Sequence, residues 1–183
     1  MSASDNLSAQ LFHGTTADLN PGDIVEPRNV GKHTSVKAAF ASLDPRVARL
    51  YGDKVYRVEP LEGDKPQLMS AGRGVVDSGA RESYAGFRVV GPHNVGSSHS
   101  AGELMGRPTL HSFHTTMGAG AWGENYTSCC GARVSKQGKS WEVTFGPGNT
   151  KTGTQLQIDK MVQKHHNENQ KAAQKQLKQE GSL

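Results

Sequence analysis

Short apolar runs, each cut off by glycine or proline, constrain this chain more than any other feature. Leu11-Phe12-His13 ends at Gly14, Ile24-Val25 at Pro27, Val55 to Glu59 at Pro60, Phe87 to Val90 at Gly91-Pro92, and Trp141 to Phe145 at Gly146-Pro147. Runs of this length, bounded by turn residues, predict strands. Helical patterns do not alternate with them, so the expectation is an α+β fold rather than repeated βαβ units. The 22 glycines imply many turns, and a hydrophobic fraction of 34% is low enough that part of the 183-residue chain is expected to lie outside a core.

Between the strands the helix signals are few. Asp44 is placed to cap a helix with Pro45 at its first position, Val47, Ala48 and Tyr51 on one face, and Gly52 as its stop. The preceding segment, Lys37 to Ser42, is short and apolar and fits strand or helix equally. Residues 94–107 carry Gly, Ser and His without periodicity and are expected to form a linker or exposed loop after a core at 1–93. A second β-rich region is expected over 108–154, then a Lys/Gln-rich helix over 155–183 with Gly181 as its stop. Its apolar face is too narrow beyond Val162 to bury much, so the first turns are expected to dock and the rest to project.

The formal charge of +4 is concentrated at the C-terminal end, where residues 151–183 carry six lysines against Asp159, Glu168 and Glu180. This end lacks the interleaved arginines and aromatics of a nucleic-acid face, so no nucleic-acid partner is expected. No run is long enough to span a bilayer, and the leader Met1 to Asn6 lacks the pattern of a secretory signal, so the expectation is a cytoplasmic protein with no membrane contact. The two cysteines, Cys129 and Cys130, are adjacent and imply no disulfide framework. With His111 and His114 they lack a second ligand pair of familiar spacing, so no metal site is expected. His165-His166 reads as solvated helix surface.

An imidazole beside a glycine at a strand end can hold a flat polar ligand, because glycine lets the backbone approach closely. His13-Gly14-Thr15 has this form. It is followed in order by Leu19, Gly22, Asp23, Val25 and Pro27, then Phe40-Ala41-Ser42, Asp44-Pro45, Ala48 and Tyr51-Gly52, then Tyr56, Val58, Glu59 and Pro60. Arg81 to Tyr84 and Phe87 to Gly91 continue the series. This ordered set, over residues 10–92, resembles the rifamycin ADP-ribosyltransferase family.

The resemblance implies a small split-β-sheet core that binds NAD and transfers ADP-ribose to an acceptor, releasing nicotinamide. It places His13 against the NAD ribose, the Gly14 amide at the nicotinamide carboxamide, and Phe40 where the family has a stacking tyrosine. Thr15, Ser42 and Tyr51 fall among the nucleotide-binding positions, and the acidic residue falls near Glu62 or Asp64, with Asp64 favoured. Departure of nicotinamide leaves an oxocarbenium-like ribose, which a carboxylate would stabilise before helping deprotonate an acceptor hydroxyl. Arg28, Lys32 and His33 could meet the pyrophosphate. The acceptor is either a rifamycin-type hydroxyl or a macromolecule. The alternative is a catalytically inert scaffold or assembly protein, working as a homo- or hetero-oligomer through residues 108–183.

Overall fold

A computed structural model describes residues 10–29, 37–68, 80–113, 115–117 and 124–183. The fold is mixed α+β, its sheets antiparallel, with a long C-terminal helix. It divides into two compact units, one of Met1–His111 with Gln174–Leu183, the other of Ser112–Ala173. Among the described residues no helix is long and apolar enough to cross a membrane.

Among the described residues the first unit carries two four-stranded sheets. One has the order β1 (Leu11–Thr15), β5 (Lys54–Pro60), β8 (Phe87–Pro92) and β2 (Ile24–Val25). The other runs β3 (Arg28–Asn29), β4 (Lys37–Ala41), β7 (Arg81–Ser83) and β6 (Gln67–Leu68). Phe12 and Ser42 exchange backbone hydrogen bonds at 2.8 and 2.7 Å, which brings the end of β4 against β1. Alternation along β1 sends Leu11 into a core with Val25, Ala39, Ala41, Val58, Phe87 and Val89, while Phe12 packs with Ala48 and Val55 on the other face.

The segment Pro45–Ala48 forms a short helix, α1, continued by a 3-10 turn over Arg49–Tyr51. Asp44 caps it, accepting the Arg46 amide at 2.9 Å. A Cβ on Gly14 would sit 1.7 Å from the Ala48 carbonyl oxygen, so glycine there lets α1 lie against β1. The Asp44 and Arg46 side chains are both buried and bidentate, with Nε to Oδ1 at 3.1 Å and Nη2 to Oδ2 at 2.9 Å. Arg46 also donates to the Pro108 carbonyl and to Gln176 Oε1, and the Leu110 amide donates to Asp44 Oδ2.

Residues 94–107, expected to form a linker or exposed loop, are irregular over 94–100 and helical over Ala101–Met105 (α2). They belong to the first unit, and Ser100 and Glu103 form a reciprocal capping box at the start of α2. Leu104, buried, anchors it. Its Ser-x-x-Glu signature is present in the sequence, while a five-residue helix carries too little apolar periodicity to mark it.

The second unit is a five-stranded meander, β9 (Thr115–Met117), β10 (Asn125–Ser128), β11 (Arg133–Gln137), β12 (Ser140–Gly146) and β13 (Asn149–Gly153). Helix α3 (Gln155–Gln179) follows, and its Ile158 and Val162 share a core with Ala132, Val134, Trp141 and Val143. Thr154 and Gln157 cap its start reciprocally, at 3.2 and 2.9 Å. At its end Gly181, at φ +73°, permits the bonds Ser182 N to Leu177 O and Gly181 N to Lys178 O that satisfy the last carbonyls.

The expectation that this helix projects beyond its first turns is overturned. Ala173 and Leu177 are fully buried, and from Gln174 onward the chain belongs to the first unit. There His93 bonds the Ser182 carbonyl at 2.7 Å, and His99 and Arg107 each meet Glu180 at 3.0 Å. A Cβ on Gly96 would lie 1.7 Å from the Glu180 carbonyl oxygen, so glycine admits the helix end.

Candidate functional site

His13 lies on β1, half-buried, and donates Nδ1–H to the Phe40 carbonyl at 2.8 Å. A carbonyl oxygen can only accept, so this bond fixes the tautomer with its lone pair on Nε2. Burial lowers the imidazole pKa; the Phe40 bond opposes this and the Arg28 charge assists it. His13 is therefore a neutral ring at physiological pH, able to accept a hydrogen bond from a hydroxyl.

The register of the second sheet brings further groups to one face. Phe40 on β4 stands directly opposite Glu82 on β7, which stands opposite Gln67 on β6. Directly opposed Cβ atoms lie about 5 Å apart, within reach of an aromatic ring and a carboxylate. Arg28 pairs with Ala38, two residues from Phe40, and so belongs to the same face. Phe40 and Glu82 are both half-buried. The Tyr84 hydroxyl donates to Glu82 Oε1 at 3.1 Å, and this bond raises the tyrosine pKa.

Strand alternation puts Ala39, Ala41 and Ser83 on the other face of that sheet. The Ser83 hydroxyl donates to Asp64 Oδ2 at 2.5 Å and accepts the Ala85 and Gly86 amides at 3.1 and 2.9 Å. Asp64 is thus held on the side of β7 away from Glu82, where it fastens the β5–β6 connection to the β7–β8 turn. Glu62 is exposed in the turn before it.

The remaining expected positions divide similarly. Gly14 meets the packing requirement of α1, and Thr15 Oγ1 accepts the Ala17 amide at 3.1 Å in a local turn. Ser42 is buried, bridges Phe12 and accepts the Asp44 amide on Oγ, so its hydroxyl serves the α1 cap. Tyr51 is 60% exposed at the end of the 3-10 turn. Lys32, His33 and His114 lie outside the described residues. Of the expected set, His13 reaches Phe40 through the Phe40 backbone carbonyl, and the register of the second sheet places Arg28, Phe40 and Glu82 on one face.

A second cluster lies in the second unit. Cys129 Sγ and Cys130 Sγ lie 3.4 and 3.5 Å from His166 Nδ1 and 3.9 Å from each other. The bond with Cys129, then burial, push the Cys130 thiol up. His166 is 6% exposed, which overturns its reading as solvated helix surface; it extends the buried stripe of Ile158 and Val162 by one further step of four. That spacing was the readable signal for it. Comparison with protein-family models, with curated proteins and with solved structures finds no match for this chain.

Proposed function

We propose that the first unit transfers ADP-ribose from NAD to an acceptor hydroxyl, with His13, Phe40, Glu82 and Arg28 as its working groups. The observation that carries the reading is the cross-strand pairing of Phe40 with Glu82 beside a neutral His13. In this reading His13 Nε2 accepts from a ribose hydroxyl and Phe40 offers its ring to the nicotinamide. The Arg28 guanidinium suits a pyrophosphate. Glu82 supplies negative charge beside the ribose carbon as nicotinamide leaves, and then takes the proton of the acceptor hydroxyl. Glu82 replaces Asp64 in this role because the Asp64 carboxylate is engaged by Ser83 on the opposite face.

The test is nicotinamide release from NAD, with and without rifampicin, in the wild type and in His13→Ala, Glu82→Gln and Asp64→Asn. Glu82→Gln is expected to lower release by about 100-fold or more, the scale of a lost general base. Asp64→Asn is expected to keep most of the rate per folded molecule. A mass increase on rifampicin would identify a small-molecule acceptor. If the wild type releases no nicotinamide and NAD does not raise its melting temperature, the transferase reading fails and the inert scaffold takes its place.

A further inference from the structure

We infer that Cys129, Cys130 and His166 form a binding site for a zinc-class divalent cation within the second unit. The three donor atoms define a triangle with edges of 3.9, 3.4 and 3.5 Å. A tetrahedral zinc with bonds of about 2.3 Å to sulfur and about 2.0 Å to nitrogen has an S–S edge of about 3.8 Å and an S–N edge of about 3.5 Å. The observed triangle is one face of that tetrahedron.

The same geometry argues against the simpler accounts. A disulfide needs sulfurs about 2.05 Å apart. A thiol–imidazole nucleophile pairs one sulfur with one nitrogen, whereas here two sulfurs stand almost equidistant from the same ring atom. One nitrogen offers a single lone pair or a single proton, so it cannot bond both thiols well at once. A cation on that axis engages all three donors together. Two thiolates and an imidazole, with no carboxylate in the set, select zinc over magnesium or calcium.

Local structure prepares the set. Ser128 and Ala132 close the β10–β11 turn through Ser128 N to Ala132 O at 2.8 Å and Ala132 N to Ser128 Oγ at 3.1 Å. Gly131 turns the chain at φ +85°. In a turn, neighbouring side chains escape the alternation of a strand, so adjacent cysteines can face one point. Phe113 meets the His166 ring edge-on at 5.4 Å and limits its rotation. On binding, the cation displaces one proton from each thiol and two protons leave to solvent, giving a neutral dithiolate–zinc unit. The cation then clamps the hairpin turn to α3 across 36 to 37 residues of sequence.

The experiment uses the full chain, stripped with a chelator under reducing conditions and titrated with Co²⁺ and then Zn²⁺. The expected result is one cobalt per chain with intense tetrahedral d–d bands and a thiolate charge-transfer band, both lost as zinc displaces cobalt. Cys129→Ser, Cys130→Ser and His166→Gln are each expected to weaken binding by at least about tenfold. His165→Gln, whose ring instead packs on Phe145 at 4.9 Å, is expected to bind as the wild type does. The wild-type spectrum needs no variant to fold. A weak octahedral spectrum without the thiolate band, or equal affinity in the Cys129→Ser/Cys130→Ser double variant, would overturn the site.

Discussion

The two units solve the burial of polar groups in opposite ways. The first unit encloses a charged pair, Asp44 and Arg46, and satisfies it with backbone groups of Pro108 and Leu110 and the Gln176 side chain, from two other stretches of chain. The second keeps its core apolar, with Trp141, Val143, Ile158 and Val162, and gathers its polar donors at one turn and one helix face. A buried ion pair holds only while both members remain, because removing one strands the other in a low-dielectric interior. A thiol–imidazole cluster tolerates neutral forms and takes its charge from a cation. The difference teaches that the first unit should respond to substitution of charge and the second to metal.

Arg46→Met tests that contrast most severely. It leaves the Asp44 carboxylate buried without its cation, and an expected loss of about 3–5 kcal/mol should appear in urea unfolding of the first unit. Chelator should leave that transition in place. Unfolding that merges into one transition with equal sensitivity to both would erase the distinction between the units.

Leu177→Ala comes next, at about 2–5 kcal/mol for a fully buried leucine. The loss should fall on the first unit, to which the end of α3 belongs, and hydrogen exchange should show residues 93–99 losing protection with it. A neutral result would restore the projecting helix that the composition led us to expect.

Gly14→Ala forces a methyl group onto the Ala48 carbonyl and should cost about 1–3 kcal/mol as α1 shifts. Melting temperature reads this directly, without NAD. A variant that kept its stability yet lost NAD binding would return Gly14 to the nucleotide.

The smallest effect concerns pH. Burial lowers the His13 pKa in the folded state, so as pH falls the unfolded chain takes up this proton first, near about pH 6.5. The stability that neutral His13 contributes is complete above that value and is lost as pH falls through the lowered folded pKa. The difference in melting temperature between wild type and His13→Gln should therefore be flat at neutral pH and change below about pH 6.5. A difference that grew on the alkaline side would mean His13 is held charged.

Much of the fold was legible because local chemistry dictates it. Asp44 and Pro45 started a helix and Gly52 followed its end; Gly181 closed α3; Trp141 to Phe145 formed the strand β12. Ser100 and Glu103 carry an equally local signal for α2, but five residues hold too little apolar periodicity to distinguish that helix from a loop. His166 lay on a readable stripe, yet a polar residue on a helix is usually solvated, and Ala173 and Leu177 prolonged that stripe too sparsely to announce burial.

Glu82 and the cysteine–histidine set had no local signature. Residues 40 and 82 meet because β4 and β7 pair in one register, and a shift by a single residue would exchange Glu82 for Ser83 or Arg81 on that face. Cys129 and Cys130 reach His166 because a turn frees their side chains from alternation and the α3 stripe brings the imidazole inward. The amino-acid sequence by itself determined where strands and helices begin and stop, since caps, turns and periodicity act over a few residues. Tertiary structure alone decided which carboxylate faces Phe40 and which donors converge, because register and helix rotation are set by the burial of whole faces rather than by neighbours in the chain.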